Sequence, residues 1–357
     1  MLNIEMIYKM FLFLHTFALK QMKKRITIKD IAKELNVHHS TVSRALRNNP
    51  NINQKTKDLV TKFACENGYL TNMNAIQLRE NVNNTIALIV PNINHNFFSN
   101  IVSHLTNLAY QKGYIISVFQ TNERYIQERT IIDTIIKHNF AGVIASIAKD
   151  TVNSDHFLKL NKFGMPLVFF DRVCEDISTP KVLVNNYEII FSATEFLIHN
   201  GFDRIVHVTG TNNINVFRDR QNGYIDALIK NNMNYQNAIV VSEIFTPEIG
   251  ASIMKNLWSL KEKPNAIISS SIHLTVGFLA QSRLFKLNTP NDFGIITCGS
   301  QLSIETQQPS IISIEQPEIE IAEISFELLR KMMTQELEPG LNIIREVKAK
   351  IVFGDSC

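Results

Sequence analysis

The chain has 357 residues, 45% apolar and 19% charged, with a formal net charge of +3. That length exceeds one ordinary core and suggests two or three domains, and the composition excludes a disordered or low-complexity chain. Four cysteines, Cys65, Cys174, Cys298 and Cys357, lie far apart in sequence, with no CxxC pair and no Cys/His cluster at metal-ligand spacing. Neither a disulfide framework nor a zinc site is expected.

Residues 1–21 contain FLFLHTFAL, which is apolar like the middle of a signal peptide but too short to span a bilayer. Glu5 precedes Lys9, and no small-x-small cleavage site follows. The reading therefore starts the folded protein at Met22 and treats 1–21 as an upstream extension, with no membrane partner. From there charge is uneven. Residues 22–83 hold eleven Lys/Arg against five Asp/Glu, whereas 84–357 hold 23 against 27. A basic head on a mildly acidic body suits a nucleic-acid-binding module fused to something else.

Within the head, Thr27 followed by Asp30 predicts a capped helix over about 28–35, with Ile31, Ala32 and Leu35 inward. Asn36 tolerates the left-handed turn that must follow. VHHSTVSRALR then predicts a second helix over about 39–46, burying Val42, Ala45 and Leu46 and turning His39, Ser40, Ser43, Arg44 and Arg47 outward. Two short helices so spaced form a helix-turn-helix, whose second member enters the major groove. Arg44 can offer two parallel donors to guanine, and His39 and Ser40 can reach base edges. Thr41, Ser43, Arg47, Lys55 and Thr56 suit backbone phosphates, which set register without reading sequence. Asn53 caps a third helix that stops at Gly68. TNMNAIQL beyond it is a helix too short to persist alone in water.

After Asn84 the pattern changes to short apolar runs alternating with amphipathic helices. TIALIVP, YIISVFQ, FAGVIASIA and MPLVFFDR read as strands, then RIVHVTG, NAIVVSEI, AIISS, GIITCG and a final VKAKIVFG. Such βαβ repetition implies mostly parallel sheets covered on both faces. The alternation occurs twice, so two α/β lobes should meet near residues 183–187, with a helix over 318–335 returning the chain to the first. Two hinged lobes suit a small molecule in their cleft. No phosphate loop, GxSxG or HExxH occurs, so an enzyme is not expected, and the scattered histidines, His95 and His207 among them, read as surface or packing residues.

At these residues the chain resembles the lactose/galactose-repressor (LacI/GalR) family of transcriptional regulators over 24–357. The resemblance rests on TVSRAL, its spacing to GY, and Asn72, Ala75 and Leu78 in an NxxAxxL pattern. It implies a helix-turn-helix head, a hinge helix and a two-lobed α/β core of periplasmic-binding-protein-like type. It also implies a homodimer on a palindromic double-stranded operator, with Asn72, Ala75 and Leu78 in the minor groove and Leu78 as the wedge. In the core, NFF, PLVFFDR and RDRQNGY resemble effector-cleft segments, placing Phe98, Asp171, Arg172 and Arg220 at the ligand. Read without the family, Phe98 could be plain core, Asp171 and Arg172 could pair with each other, and Arg220 could face water.

Departures from the family pattern bear on the ligand. Thr71 stands where proline is usual. In PNDFGIITCGS, Thr297, Cys298, Gly299 and Ser300 replace the family's Gly-Phe-Asp-Asp, and Ser271 and Ile272 stand where Asn-Asp or Ser-Asp is common. A cleft without those carboxylates should not grip a sugar in the usual way. The implied effector is a sugar of uncommon kind or an acidic or phosphorylated metabolite, with no cofactor or metal. The expected boundaries are 22–70 for the head, 71–83 for the hinge, 84–184 with about 314–342 for one lobe, and 185–313 with about 343–357 for the other. The expected place of action is the cytoplasm, at the nucleoid. An exported solute-binding protein, or a DNA-binding protein whose core only dimerises, are the alternatives.

Overall fold

The computed structural model describes residues 26–69, 83–234, 238–299, 310–338 and 340–357. The chain divides into two compact units, Met1–Val82 and Asn83–Cys357. The expectations for residues 1–21, for Asn72, Ala75 and Leu78 of the hinge, and for Ser300 lie outside the described residues.

In the first unit, three helices enclose a small core: α1 (Ile28–Glu34), α2 (His39–Leu46) and α3 (Gln54–Glu66). Thr27 and Asp30 form a reciprocal capping box, the Asp30 carboxylate accepting from the Thr27 amide at 2.8 Å. Asn36 takes the left-handed turn at φ 52°, which Asn tolerates better than most residues. The Asn53 side chain caps α3 by accepting from the Thr56 amide at 2.8 Å. Ile31, Val42, Ala45, Val60 and Ala64 are buried together, with Leu35, Val37 and Leu46 packed around them.

The second unit holds two six-stranded sheets. The first combines β1 (Thr85–Val90), β2 (Ile115–Gln120), β3 (Gly142–Ala145), β4 (Leu167–Phe170), β5 (Lys181–Val184) and β11 (Ile344–Val347), in the spatial order β11-β5-β4-β3-β1-β2, all parallel. The second combines β6 (Ile205–Thr209), β7 (Ile239–Val241), β8 (Ala266–Ser269), β9 (Gly294–Cys298), β10 (Ile312–Glu315) and β12 (Lys350–Val352), ordered β12-β10-β9-β8-β6-β7. Only β12 runs antiparallel, against β10. The central strands β3, β4, β6, β8 and β9 are buried along their whole length, and β1 beyond Thr85, because helices cover both faces.

Those helices are α4 (Asn96–Gln111), α5 (Tyr125–Lys137), α6 (Asp155–Lys162), α7 (Asn186–His199), α8 (Asn215–Lys230), α9 (Pro247–Ser259), α10 (Ile272–Leu284) and α11 (Glu318–Met333). Helix α11 follows the second sheet in sequence yet packs on α4 and on β3, β4 and β5 of the first lobe. The chain thus crosses between lobes after β5, after β10 and after β11. Asn185 ties two crossings together: its side-chain oxygen accepts from the Ala349 amide at 2.8 Å, and its amide donates to Val347 O at 3.1 Å.

Two expectations need correction. The C-terminal VKAKIVFG is not one strand. The last residue of β11, Val347, pairs with β5 in the first sheet, and β12 then pairs with β10 in the second. The final crossing accordingly falls at Lys348–Ala349 rather than at 343, because each sheet takes one short edge strand from the tail. The strand β5 was also not anticipated; at four residues opening on a lysine it carries little strand signal.

Candidate functional site

On α2, burial and polarity separate cleanly. Val42 and Ala45 are buried, His39, Arg44 and Arg47 are exposed, and Ser40, Thr41 and Ser43 are half-buried at the margin. Lys55 is exposed and Thr56 half-buried at the start of α3. One residue passed over in the sequence matters here. His38 caps α2, its Nδ1 accepting from the Ser40 amide at 3.4 Å and lying 2.8 Å from Ser40 Oγ. Its ring packs against His39 with centroids 4.1 Å apart. The first turn of α2 is thereby pre-ordered around the side chains predicted to reach base edges.

In the core, the C-terminal ends of both sheets' strands face one cleft, where open α/β sheets bind ligands. The inner part is open to solvent and is lined by residues from both lobes. Phe98, Asp171, Arg172 and Arg220, separated widely in sequence, all line it. Phe98 is 3% exposed and serves both as core and as wall. Arg220 is 5% exposed, so it is no solvated face. Its Nε donates to Asn186 Oδ1 at 2.8 Å and its Nη1 to Ser270 O at 3.3 Å.

Asp171 follows β4 in the left-handed region, at φ 57°. Its carbonyl accepts from Asn215 Nδ2 at 2.9 Å, and Asn215 Oδ1 accepts from the Val173 amide at 3.2 Å. Asn215 opens α8, so this pair joins the lobes at the cleft floor. Burial pushes the Asp171 carboxyl up, against the opposing pull of Arg172 and Arg220. Arg172 lies 4.0 Å from Asp171, but its closer partner is Glu123, which accepts from Nη1 with both oxygens at 2.8 and 3.0 Å. The same guanidinium sits over the rings of Phe98 and Phe217, at 5.6 and 5.8 Å from their centroids.

The sequence reading missed several cleft residues, His95, Glu123, Phe217 and His273 among them. His95 packs in the wall of the cleft. Its ring meets His273 of the other lobe edge-to-face at 5.1 Å, and Phe98 at 6.5 Å. Burial lowers its pKa to about 4, with His273 and Arg172 adding to the effect and Glu123 opposing it. His95 is therefore neutral at neutral pH. His207, by contrast, lies wholly inside the second sheet against Tyr224, as a packing residue. The replaced family positions also line the cleft: Ser271, Ile272, Cys298 and Gly299. Thr297 lies beneath them, its hydroxyl accepting from Thr275 Oγ1 at 2.8 Å.

Among the described residues no group of three or more His, Cys, Asp or Glu could hold a metal ion, and no helix is long and apolar enough to cross a membrane.

A three-helix head with a polar second helix, followed by two parallel-sheet lobes around a cleft, defines a DNA-binding regulator with a small-molecule-binding type of core. Residues 27–72 match the family described as bacterial regulatory proteins, lacI family, and residues 83–310 match periplasmic binding proteins and the sugar binding domain of the LacI family. The chain belongs to the LacI family of bacterial regulators, and is not an enzyme. It is 28% identical over 326 residues to the transcriptional repressor CytR of Escherichia coli K12, covering 91% of this chain and 95% of that protein. It is 27% identical over 297 residues to the NTD biosynthesis operon regulator NtdR of Bacillus subtilis, covering 83% and 89%. In fold it is similar to the lac repressor dimer bound to operator and the anti-inducer ONPF, with a TM-score of 0.78 at 17% identity over 93% of this chain and 99% of that one.

Proposed function

We propose that the protein is a repressor that binds a palindromic operator as a homodimer, reading bases with Arg44, His39 and Ser40 of α2. Thr41, Ser43, Arg47, Lys55 and Thr56 hold the phosphates, and Asn72, Ala75 and Leu78 enter the minor groove. A small molecule held by Phe98, Asp171, Arg172 and Arg220 changes the closure of the lobes and with it operator affinity. A regulator of this kind acts in the cytoplasm, where its DNA is. The observation that carries the reading is the two-sided character of α2, with buried Val42 and Ala45 behind exposed His39, Arg44 and Arg47. Such a helix is anchored on one face and free to enter a groove with the other.

The test is selection of bound sequences from a random duplex pool, followed by affinity measurement on the enriched site at stated salt. A palindromic site is expected, and Arg44→Ala should lose roughly 1–3 kcal/mol of discrimination at one base of each half-site. Equal discrimination by mutant and parent would remove Arg44 from base reading. Binding that is weak, strongly salt-dependent and without sequence enrichment would defeat the operator reading.

A further inference from the structure

Two guanidiniums project into the cleft, and a planar fork of this kind is a natural trap for a carboxylate or phosphate. One arm of the Arg172 fork is already engaged. Both oxygens of Glu123 accept from its Nη1 at 2.8 and 3.0 Å, and the two side chains are only 10% and 20% exposed. Glu123 is held there by more than that pair. Its Oε2 also accepts from the Lys149 amide at 2.9 Å, across the loop after β3. Glu123 and Asn122 are successive left-handed residues, at φ 61° and 52°, a conformation that L side chains rarely adopt. Acidic groups outnumber basic ones nearby: Asp171 lies 4.0 Å from Arg172, Glu318, Asp150 and Glu243 also line the cleft, and the Lys149 ammonium donates to the Glu243 carbonyl. Arg220 is engaged by neutral oxygens of Asn186 and Ser270, within the electrostatic reach of Asp171.

We infer that Glu123 is a specificity-determining residue that neutralises the Arg172 guanidinium from within, so that the cleft selects uncharged ligands and excludes carboxylates and phosphates. An anion that reaches Arg172 either meets the like charge of Glu123 on the same guanidinium or must displace it, and Glu123, covalently tethered, competes at high effective concentration. Displacement would also leave Glu123 sheltered without its cation and strip the Lys149 amide of its acceptor. An uncharged ligand leaves this arrangement intact. The inference rests on the reading of the cleft as the effector site, and it narrows the acidic and phosphorylated alternatives to an uncharged effector.

Inorganic phosphate is the probe, titrated into the full chain against chloride at matched ionic strength, with affinity taken from the rise in melting temperature. Phosphate bound by the basic head is subtracted with the double variant Glu123→Gln/Arg172→Gln. The wild type should respond no more than the double variant, and Glu123→Gln should bind phosphate at least roughly tenfold more tightly than the wild type. A wild-type response equal to that of Glu123→Gln overturns the inference, as does a Glu123→Gln response no greater than that of the double variant. If Glu123→Gln does not fold, wild type is compared with Arg172→Gln: equal responses support the inference, and a stronger wild-type response overturns it. Operator selection by the wild type is scored separately, so loss of the regulator reading and loss of charge selection give different patterns.

Discussion

The polar residues of the head and those of the cleft are positioned over very different distances in sequence. In the head, the Thr27–Asp30 and Asn53–Thr56 caps each span three residues, and the His38–Ser40 contact spans two. In the cleft, Arg172 meets Glu123 across 49 residues, Asn215 meets Asp171 across 44, and Arg220 meets Asn186 across 34. Each head contact forms as soon as its own turn forms, whereas each cleft contact needs strands or helices far apart in sequence to be packed together first. The head therefore presents a surface that its local sequence specifies. The cleft presents one that only the whole core specifies.

That contrast predicts where a single substitution does most damage. Gly223 lets α8 approach α7 so closely that a Cβ there would lie 2.2 Å from the Tyr187 carbonyl oxygen. Backbone cannot yield as a flexible side chain can, so Gly223→Val should destabilise the core by about 4 kcal/mol. Because Arg220 and Asn186 sit on these two helices, the cleft should be lost with the packing. Urea unfolding followed by the fluorescence of Trp258 reads it, and an unchanged midpoint would show that the helices can part without cost.

The head should fail more locally. Ile31 is fully buried in a core of few side chains, and Ile31→Ala should cost about 3 kcal/mol, a large share of what so small a unit can hold. Amide hydrogen exchange in the full chain separates the two units. Protection should collapse at Val42 and Val60 and stay unchanged at Ile268. Equal loss at all three would mean that head and core unfold together, and the contrast drawn above would be wrong.

Acid should act on the core. His207 is buried, and burial together with Arg220 lowers its pKa to about 3. The unfolded chain takes up a proton near pH 6.5 that the folded chain refuses until about pH 3. Its contribution is thus complete above pH 6.5 and declines as pH falls through that window, at up to about 1.4 kcal/mol per pH unit. His207→Leu should flatten the dependence of core stability on pH between 6.5 and 4, measured by urea unfolding at several pH values. A slope unchanged by the substitution would assign the acid sensitivity elsewhere, with His95 the next group to replace.

Much of this contrast was already visible in the sequence, for a physical reason. The helices of the head, the outward set on α2, the turn at Asn36 and the caps Thr27 and Asn53 depend on neighbours within four residues. Phe98, Asp171, Arg172 and Arg220 were located through the family resemblance rather than through any local signal. Glu123 and His95 were missed because their meaning lies in Arg172 and His273, which the fold alone brings to them. The division of VKAKIVFG between two sheets was hidden for the same reason, since its hydrophobic alternation is that of a single strand. His38 was within reach: a polar residue immediately before a helix start is a cap candidate.

The smallest effect tests whether locality in the head carries energy as well as information. Thr27 and Asp30 are both exposed, so neither contributes through burial. Their value lies in satisfying amides at the start of α1 that have no partner within the helix. Thr27→Ala should cost about 1 kcal/mol, seen as faster exchange of the first α1 amides in the full chain. If the two side chains act as a box, Asp30→Ala should cost little more once Thr27 is gone, because each holds the other's amide in place. A double-mutant cycle with full additivity would mean that the two caps work independently. The local geometry would then be a consequence of the packing around Ile31 rather than one of its causes.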